Sequence, residues 1–300
     1  MSVTTTPFLV ATEAAAPPSV QRVGVIGSGT MGAGIAELCA TRGLSVTLAV
    51  SRRPSLAAAP ARIAAALERR VERGRITAAE RRAALARISV TDDLAALADR
   101  ELIIEAAPED RELKKVLFSR LDQVTDAGTI LASTTSAISI SQLAAATARP
   151  ERVVGVHFFN PVAVLPLVEL VATLRTVPAV TARVAAFVTS GLGKQQIPVT
   201  DRSGFVVNAL LVPYLLAAIR MVESGGGSAE TVDRAMELGC AHPMGPLKLA
   251  DLIGLDVVTA IAGALYEEFK QPLYAAPPTL LRMVESGLLG RKTGRGFYTY

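Results

Sequence analysis

The short apolar run Val23-Gly-Val-Ile26 ends in Gly27-Ser28-Gly29-Thr30-Met31-Gly32, and a helical pattern from Met31 to Arg42 follows at once. Strand, glycine turn, helix is the order that a dinucleotide pyrophosphate requires. Gly27 makes the tight turn, Gly29 leaves room for the phosphates, and Gly32 lets helix and strand pack closely. The helix N-terminus then offers unbonded N–H groups and a partial positive charge to the anion. A glycine-rich turn with no ligand can share this spelling, but the strand before it and the helix after it favour a cofactor site. The six residues Gly27 to Gly32 are therefore expected to bind it.

The second half of that fingerprint is missing. An NAD site carries Asp or Glu some twenty residues further on, at the end of the second strand, for the ribose 2′-OH. Here that strand reads Ser45-Val-Thr-Leu-Ala-Val50 and runs into Ser51-Arg52-Arg53, with no acid. A 2′-phosphate needs donors and positive charge at this place, and arginine grips it with two hydrogen bonds. Ser51, Arg52 and Arg53 point to NADP. The plainer alternative is a solvated basic loop in a site that still uses NAD.

At 300 residues the chain suits two ordinary domains or one large one, and 50% hydrophobic content is ample for a packed core. The formal charge of +4 is mild. Its bases are interleaved with acids along helices, as in Glu68-Arg-Arg-Val-Glu-Arg73, so nucleic acid is not an expected partner. Cys39 and Cys240 lie far apart in apolar segments and read as free thiols of a reducing compartment. With two histidines and two cysteines in all, no metal-ligand cluster is visible. No apolar run reaches membrane-spanning length. Residues 1–20 lack the basic start and apolar core of a signal peptide and read as a disordered tail. A soluble, cytoplasmic protein is expected, with no membrane partner.

Strand-like runs alternate with helical patterns through residues 21–200: Val23–Ile26, Val46–Val50, Leu102–Glu105, Ile130–Ser133, Val153–Val156, Leu167–Leu170 and one near Ile197–Val199. Continuous apolar strands between helices imply an α/β fold of Rossmann type, doubly wound around a mostly parallel sheet. A long helical stretch from Leu56 to Gly74 interrupts the alternation. With Ala78–Arg87 it is expected to form a helical hairpin insertion that projects from the sheet. After Asp201-Arg-Ser-Gly204 only helical patterns remain: Phe205–Glu223, Ala229–Leu238, Asp256–Phe269 and Thr279–Glu285. Residues 201–300 thus form an all-α C-terminal domain for substrate binding and dimerisation. Its surplus of Leu, Ala and Val favours a homodimer through that domain.

His157 ends a strand in Val156-His-Phe-Phe-Asn160-Pro161, and strand C-termini of an open α/β sheet are where ligands sit. Glu169 follows in the next short strand. Two adjacent strands could bring its carboxylate to one ring nitrogen while the other faces substrate, which makes a base held by an orienting acid. A lone strand-end histidine is often structural; the nearby nucleotide motif favours catalysis. Ser133-Thr-Thr-Ser136 closes another strand, where the Ser136 hydroxyl either binds a substrate oxygen or caps a helix. Ser139 reads as a cap. Asn208, an amide in an apolar helix, is either buried and satisfied or aimed at a ligand.

His157-Phe-Phe-Asn-Pro161, Leu167-Val-Glu169-Leu, Ser203-Gly-Phe-Val-Val-Asn208, His242-Pro-Met-Gly-Pro246 and Gly290-Arg-Lys-Thr-Gly-Arg-Gly-Phe-Tyr298 together resemble the 3-hydroxyacyl-CoA dehydrogenase family. The flavour is that of the short bacterial 3-hydroxybutyryl-CoA dehydrogenases, and the likeness runs from about Arg22 to Tyr300. The resemblance implies that His157 takes the proton of the substrate 3-hydroxyl while hydride passes to the nicotinamide. It implies that Glu169 fixes the imidazole tautomer and that Ser136 and Asn208 position the substrate oxygen. By the same matching Glu109, Lys114, Asn160 and Lys292 contact the cofactor, and Arg73 takes the place of a lysine for the CoA phosphates.

The chain also departs from that family. Thr134 stands for the Asn of S-N-T-S, and Ala137 for the Ser that follows it. Ala66 replaces a CoA-contacting Ser of some relatives, and Val50 replaces the acid of many. The leading expectation is interconversion of 3-hydroxybutyryl-CoA and acetoacetyl-CoA with NADP, otherwise NAD. One alternative keeps the chemistry on an acyl-carrier-protein thioester in polyketide precursor supply. Another is a non-catalytic, crystallin-like binding or structural protein, which the retention of His157, Glu169 and Asn208 argues against.

Overall fold

Eight strands make one sheet: β1 (Arg22–Ile26), β2 (Ser45–Ala49), β3 (Ile88–Thr91), β4 (Leu102–Glu105), β5 (Ile130–Ser133), β6 (Val153–Phe158), β7 (Leu167–Ala172) and β8 (Gln195–Thr200). They lie in the order β3-β2-β1-β4-β5-β6-β7-β8. Every neighbouring pair is parallel except β6 and β7. This computed structural model describes residues 19–300, so the tail expected over residues 1–20 lies, but for its last two residues, outside them.

Strands β1, β2, β4, β5 and β6 are largely apolar on both faces and accordingly buried between helices. On one face pack α1 (Thr30–Thr41), α2 (Arg53–Glu72) and α3 (Ala78–Ala86). On the other pack α4 (Arg111–Val124) and α5 (Ile140–Ala144). Helix α6 (Pro178–Ala186) returns to the first face, where Val180 and Val184 join its core. The chain crosses from one half of the sheet to the other between β1 and β4, and this reversal opens a crevice at the carboxyl ends of the strands. The doubly wound architecture is as expected from the sequence.

Three elements differ from expectation. Strand β3 is an unanticipated edge strand; Ile88-Ser-Val-Thr91 alternates and is only half-buried, so it lacks the continuous apolar signal of its neighbours. The α2–α3 hairpin does not stand clear of the sheet: Ala59, Ile63, Leu67 and Ala84 are buried in the same core as α1. Helix α9, introduced next, begins at Pro246 and lies between the helical patterns Ala229–Leu238 and Asp256–Phe269, where no helix is expected from the sequence.

Beyond β8 the chain is helical: α7 (Val207–Glu223), α8 (Ala229–Gly239), α9 (Pro246–Ile253), α10 (Leu255–Phe269) and α11 (Pro278–Glu285). They share a separate apolar core around Leu215, Leu216, Leu247 and Leu265. Two buried acids organise this core. Asp233 of α8 accepts from the Leu247 and Lys248 N–H groups at 2.7 and 3.0 Å, capping α9, and from the Tyr298 hydroxyl at 2.8 Å. Asp251 of α9 accepts from the Phe297 and Tyr298 N–H groups at 3.0 and 2.9 Å, which pins the C-terminal segment.

Candidate active site

The glycine turn divides its labour by geometry. Gly27 has φ +95°, and a Cβ there would stand 2.6 Å from the Ala106 carbonyl oxygen. A Cβ on Gly32 would stand 1.9 Å from the Gly27 carbonyl oxygen. Beside Gly29, by contrast, nothing lies within 4 Å of that position. The α1 N-terminus next to it has no side-chain cap and no acid in its first turn. Open space, uncapped N–H groups and a favourable dipole fit a pyrophosphate. From α2, Arg62 reaches back and donates to the Ser28 carbonyl oxygen at 2.5 Å.

Past the end of β2, Val50 is buried while Ser51, Arg52 and Arg53 are exposed where α2 begins. The whole hairpin is strongly basic. Residues 51–87 hold ten arginines against three glutamates, while the rest of the chain holds 21 bases against 24 acids. Arg73, at the C-terminal cap of α2, belongs to this exposed set.

Between the sheet and the helical domain lies a cavity of about 680 Å³. Met31 of α1, Ala106 and Glu109 beyond β4, and Ser136 and Ala137 beyond β5 line one side. Val257, Ala260, Ile261 and Ala264 of α10 line the other. A polar floor thus faces an apolar wall, as a ligand with a reactive polar group and an apolar tail requires.

Behind Ser136 of the cavity lining, His157 and Glu169 are direct partners across the antiparallel β6–β7 pair. Both are buried, and Nδ1 lies 2.7 Å from Glu169 Oε2. A carboxylate only accepts, so Nδ1 carries the proton and Nε2 of the neutral ring presents a lone pair. Ser136 Oγ lies 3.1 Å from that Nε2. Glu169 Oε1 accepts from the Val206 and Val207 N–H groups at 3.0 and 2.9 Å, where α7 begins. Burial pushes the Glu169 carboxyl up, but the His157 ring and these two N–H groups outweigh it and hold it below the usual carboxylate range. Phe205, at φ +46°, turns the chain into α7 and sets its ring 5.5 Å from the imidazole.

The loop after β5 is held from below. Glu109 accepts from the Thr135 hydroxyl and from the Ser136 and Ala137 N–H groups, the last two at 3.0 and 3.2 Å. Thr134, the residue in place of Asn, accepts from the Phe158 N–H at 3.3 Å. Ser139 does not cap α5 itself; Asp201 does, accepting from the Ile140 and Ser141 N–H groups, each at 2.8 Å. Ser139 donates to Asp201 instead, at 2.9 Å.

Of the residues singled out by sequence, the structure gathers Met31, Glu109, Lys114, Ser136, His157 and Glu169 around one floor. Lys114 is buried, with Nζ 2.6 Å from Glu105 Oε1. Asn208 is half-buried in the first turn of α7, and among the described residues its amide has no hydrogen-bond partner. Asn160 is exposed beyond β6. Lys292 sits in the helical domain, 2.6 Å from both Asp256 oxygens, and neither it nor Arg73 lines the cavity. Glu105 also belongs to this polar cluster; its signal in the sequence is an acid closing the apolar run Leu102-Ile-Ile, and it is not among the residues singled out there.

A sheet crevice with a phosphate-fitting turn, joined by a helical domain across a His–Glu pair, defines the class of two-domain nicotinamide-dependent dehydrogenases. Residues 22–202 match the family model described as 3-hydroxyacyl-CoA dehydrogenase, NAD binding domain, and residues 204–300 the C-terminal domain of the same family. The chain belongs to the 3-hydroxyacyl-CoA dehydrogenase family, and its cofactor is a nicotinamide dinucleotide. It is 55% identical to a 3-hydroxybutyryl-CoA dehydrogenase of Mycobacterium tuberculosis, covering 94% of this chain and 99% of that one. It is 38% identical to the human mitochondrial hydroxyacyl-coenzyme A dehydrogenase, covering 94% and 91%. The crystal structure of M. tuberculosis FadB2 superposes with a TM-score of 0.93 at 55% identity, over 94% of this chain and 100% of that one. That of (S)-3-hydroxybutyryl-CoA dehydrogenase PaaH1 from Ralstonia eutropha does so with 0.89 at 42%, over 94% and 99%.

Proposed function

We propose that this protein interconverts 3-hydroxybutyryl-CoA and acetoacetyl-CoA, with His157 as the acid–base group. The observation that carries this reading is the chain Ser136 Oγ, His157 Nε2, His157 Nδ1, Glu169, which runs inward from the Ser136 lining of the cavity with successive gaps of 3.1 and 2.7 Å. The nicotinamide supplies the hydride acceptor in oxidation and the hydride donor in reduction. His157 Nε2 takes the 3-hydroxyl proton as the C3–H bond is broken, and returns it to the carbonyl oxygen in the reverse direction. Glu169 holds the tautomer and balances the charge on the ring. Ser136, and Asn208 with its uncommitted amide, align the substrate oxygen. Arg73 and its neighbours on the hairpin face the CoA phosphates.

The preferred cofactor is NADP. Ser51, Arg52 and Arg53 are exposed at the end of β2, Val50 stands where an acid would bind a 2′-hydroxyl, and arginine suits a 2′-phosphate. Exposed Leu210, Met221, Leu238 and Leu281 on the helical domain favour a homodimer through it. The decisive experiment is turnover of acetoacetyl-CoA with NADH and NADPH side by side, in the wild type and in Arg52→Ala/Arg53→Ala. Turnover with either cofactor supports the reaction; its absence with both refutes it. The double substitution is expected to weaken NADPH far more than NADH, and equal losses would remove the NADP assignment.

A further inference from the structure

Beneath the loop that carries Ser136 lies a closed ring of polar contacts that the acid–base reading does not use. Glu105 closes β4 with its side chain fully buried, and both of its oxygens lead to that loop. On one arm, Oε2 accepts from Ser133 Oγ at 2.6 Å, and Ser133 Oγ accepts from the Thr135 N–H at 3.2 Å. On the other arm, Oε1 accepts from Lys114 Nζ at 2.6 Å, and that ammonium stands 3.4 Å from Glu109 Oε2. Glu109 Oε1 completes the circuit by accepting from Thr135 Oγ1 and from the N–H of Ser136 at 3.0 Å.

A buried ammonium is costly to leave uncompensated, so Lys114 divides its charge between two carboxylates, with the Ala107 carbonyl oxygen as a neutral acceptor at 3.2 Å. The distances give Glu105 the larger share, and Glu109 keeps its charge for the loop. Were Glu105 neutral, the ammonium would turn to Glu109 and compete with the loop for it. Ser133 would lose its charged acceptor at the same time. Both supports of the segment bearing Ser136, whose hydroxyl meets His157 Nε2, would loosen together.

We propose that Glu105 is a positioning residue for the Ser136–His157 pair, acting through both arms of this ring. The proposal rests on the reading of Ser136 as a group that aligns the substrate oxygen. The test is a double-mutant cycle between Glu105→Gln and Ser136→Ala, read as kcat and KM for acetoacetyl-CoA. Misplacing an aligning group by about 1 Å costs about 100-fold, so Glu105→Gln is expected to lower kcat by about 10- to 100-fold. KM should change by less than about threefold, and in the Ser136→Ala background the same substitution should cost less than about twofold.

If Glu105→Gln fails to fold, Ser133→Ala takes its place in the cycle, because it removes one arm of the ring and leaves the buried ion pair intact. A purely structural role predicts that the folded variant loses Tm but keeps kcat, and that outcome overturns the proposal. So does an equal loss of kcat in both backgrounds. Ser136→Ala with unimpaired kcat would instead refute the alignment role of Ser136, and with it the premise of the proposal.

Discussion

Cross-strand partners in an antiparallel pair have their Cβ atoms about 5 Å apart, and it is this spacing that lets Glu169 reach the His157 ring. His157→Gln removes the proton acceptor but not the strand. It is expected to lower kcat by about 10²–10⁴-fold while calorimetry shows unchanged dinucleotide affinity; near-normal turnover would take His157 out of the chemistry. Glu169 has a pH signature. Its carboxyl is held below the usual range, so the stability it contributes is fully present above the unfolded value of about 4.3. That stability is lost as pH falls through the lower folded value. Melting temperatures from pH 7 down to pH 3 should therefore fall less steeply for Glu169→Gln than for the wild type, and parallel curves would contradict the depressed carboxyl.

At the level of elements, the three glycines of the first turn make separable predictions. Gly32→Ala drives a methyl into the Gly27 carbonyl, so it should lower Tm markedly. Gly29→Ala meets only open space, so Tm should hold while dinucleotide affinity falls, and a Tm loss equal to that of Gly32→Ala would show a structural role instead. Leu67, fully buried under the hairpin, should cost about 2–5 kcal/mol in denaturant unfolding when replaced by Ala; a negligible cost would mean that α2 is not docked. Sequence patterns reveal the elements whose cause is local. The glycine turn and the apolar strands β4, β5 and β6 announce themselves. Helix α9 does not, because its cap comes from Asp233 fourteen residues upstream, and α5 is capped by Asp201 from the far end of the sheet. The same holds for the site. His157, Glu169 and Ser136 are legible as polar residues at strand ends, whereas the work of Glu105 depends on the β4–β5 register that sets it beside Ser133, and that of Glu109 on the path of the loop after β4.

Across the whole molecule, charge is segregated: the arginine-rich hairpin stands against a remainder with more acids than bases. Exposed charges of this kind are screened by salt, so KM for acetoacetyl-CoA is expected to rise several-fold between low and about 0.5 M salt. A pantetheine-truncated substrate, lacking the nucleotide phosphates, should show no such rise; equal salt dependence would detach the hairpin from substrate capture. A second whole-molecule relation runs through one side chain. The two oxygens of Glu169 bind different domains, one the imidazole and the other the first N–H groups of α7. Thermodynamic linkage makes such a coupling reciprocal. Whatever seats α7 against the sheet helps to hold the Glu169 carboxyl below its usual range, and ionisation of that carboxyl tightens the seat of α7 by the same free energy. Docking of the helical domain and ionisation of the Glu169 carboxyl are thus conjugate variables, and a titration of one is a measurement of the other.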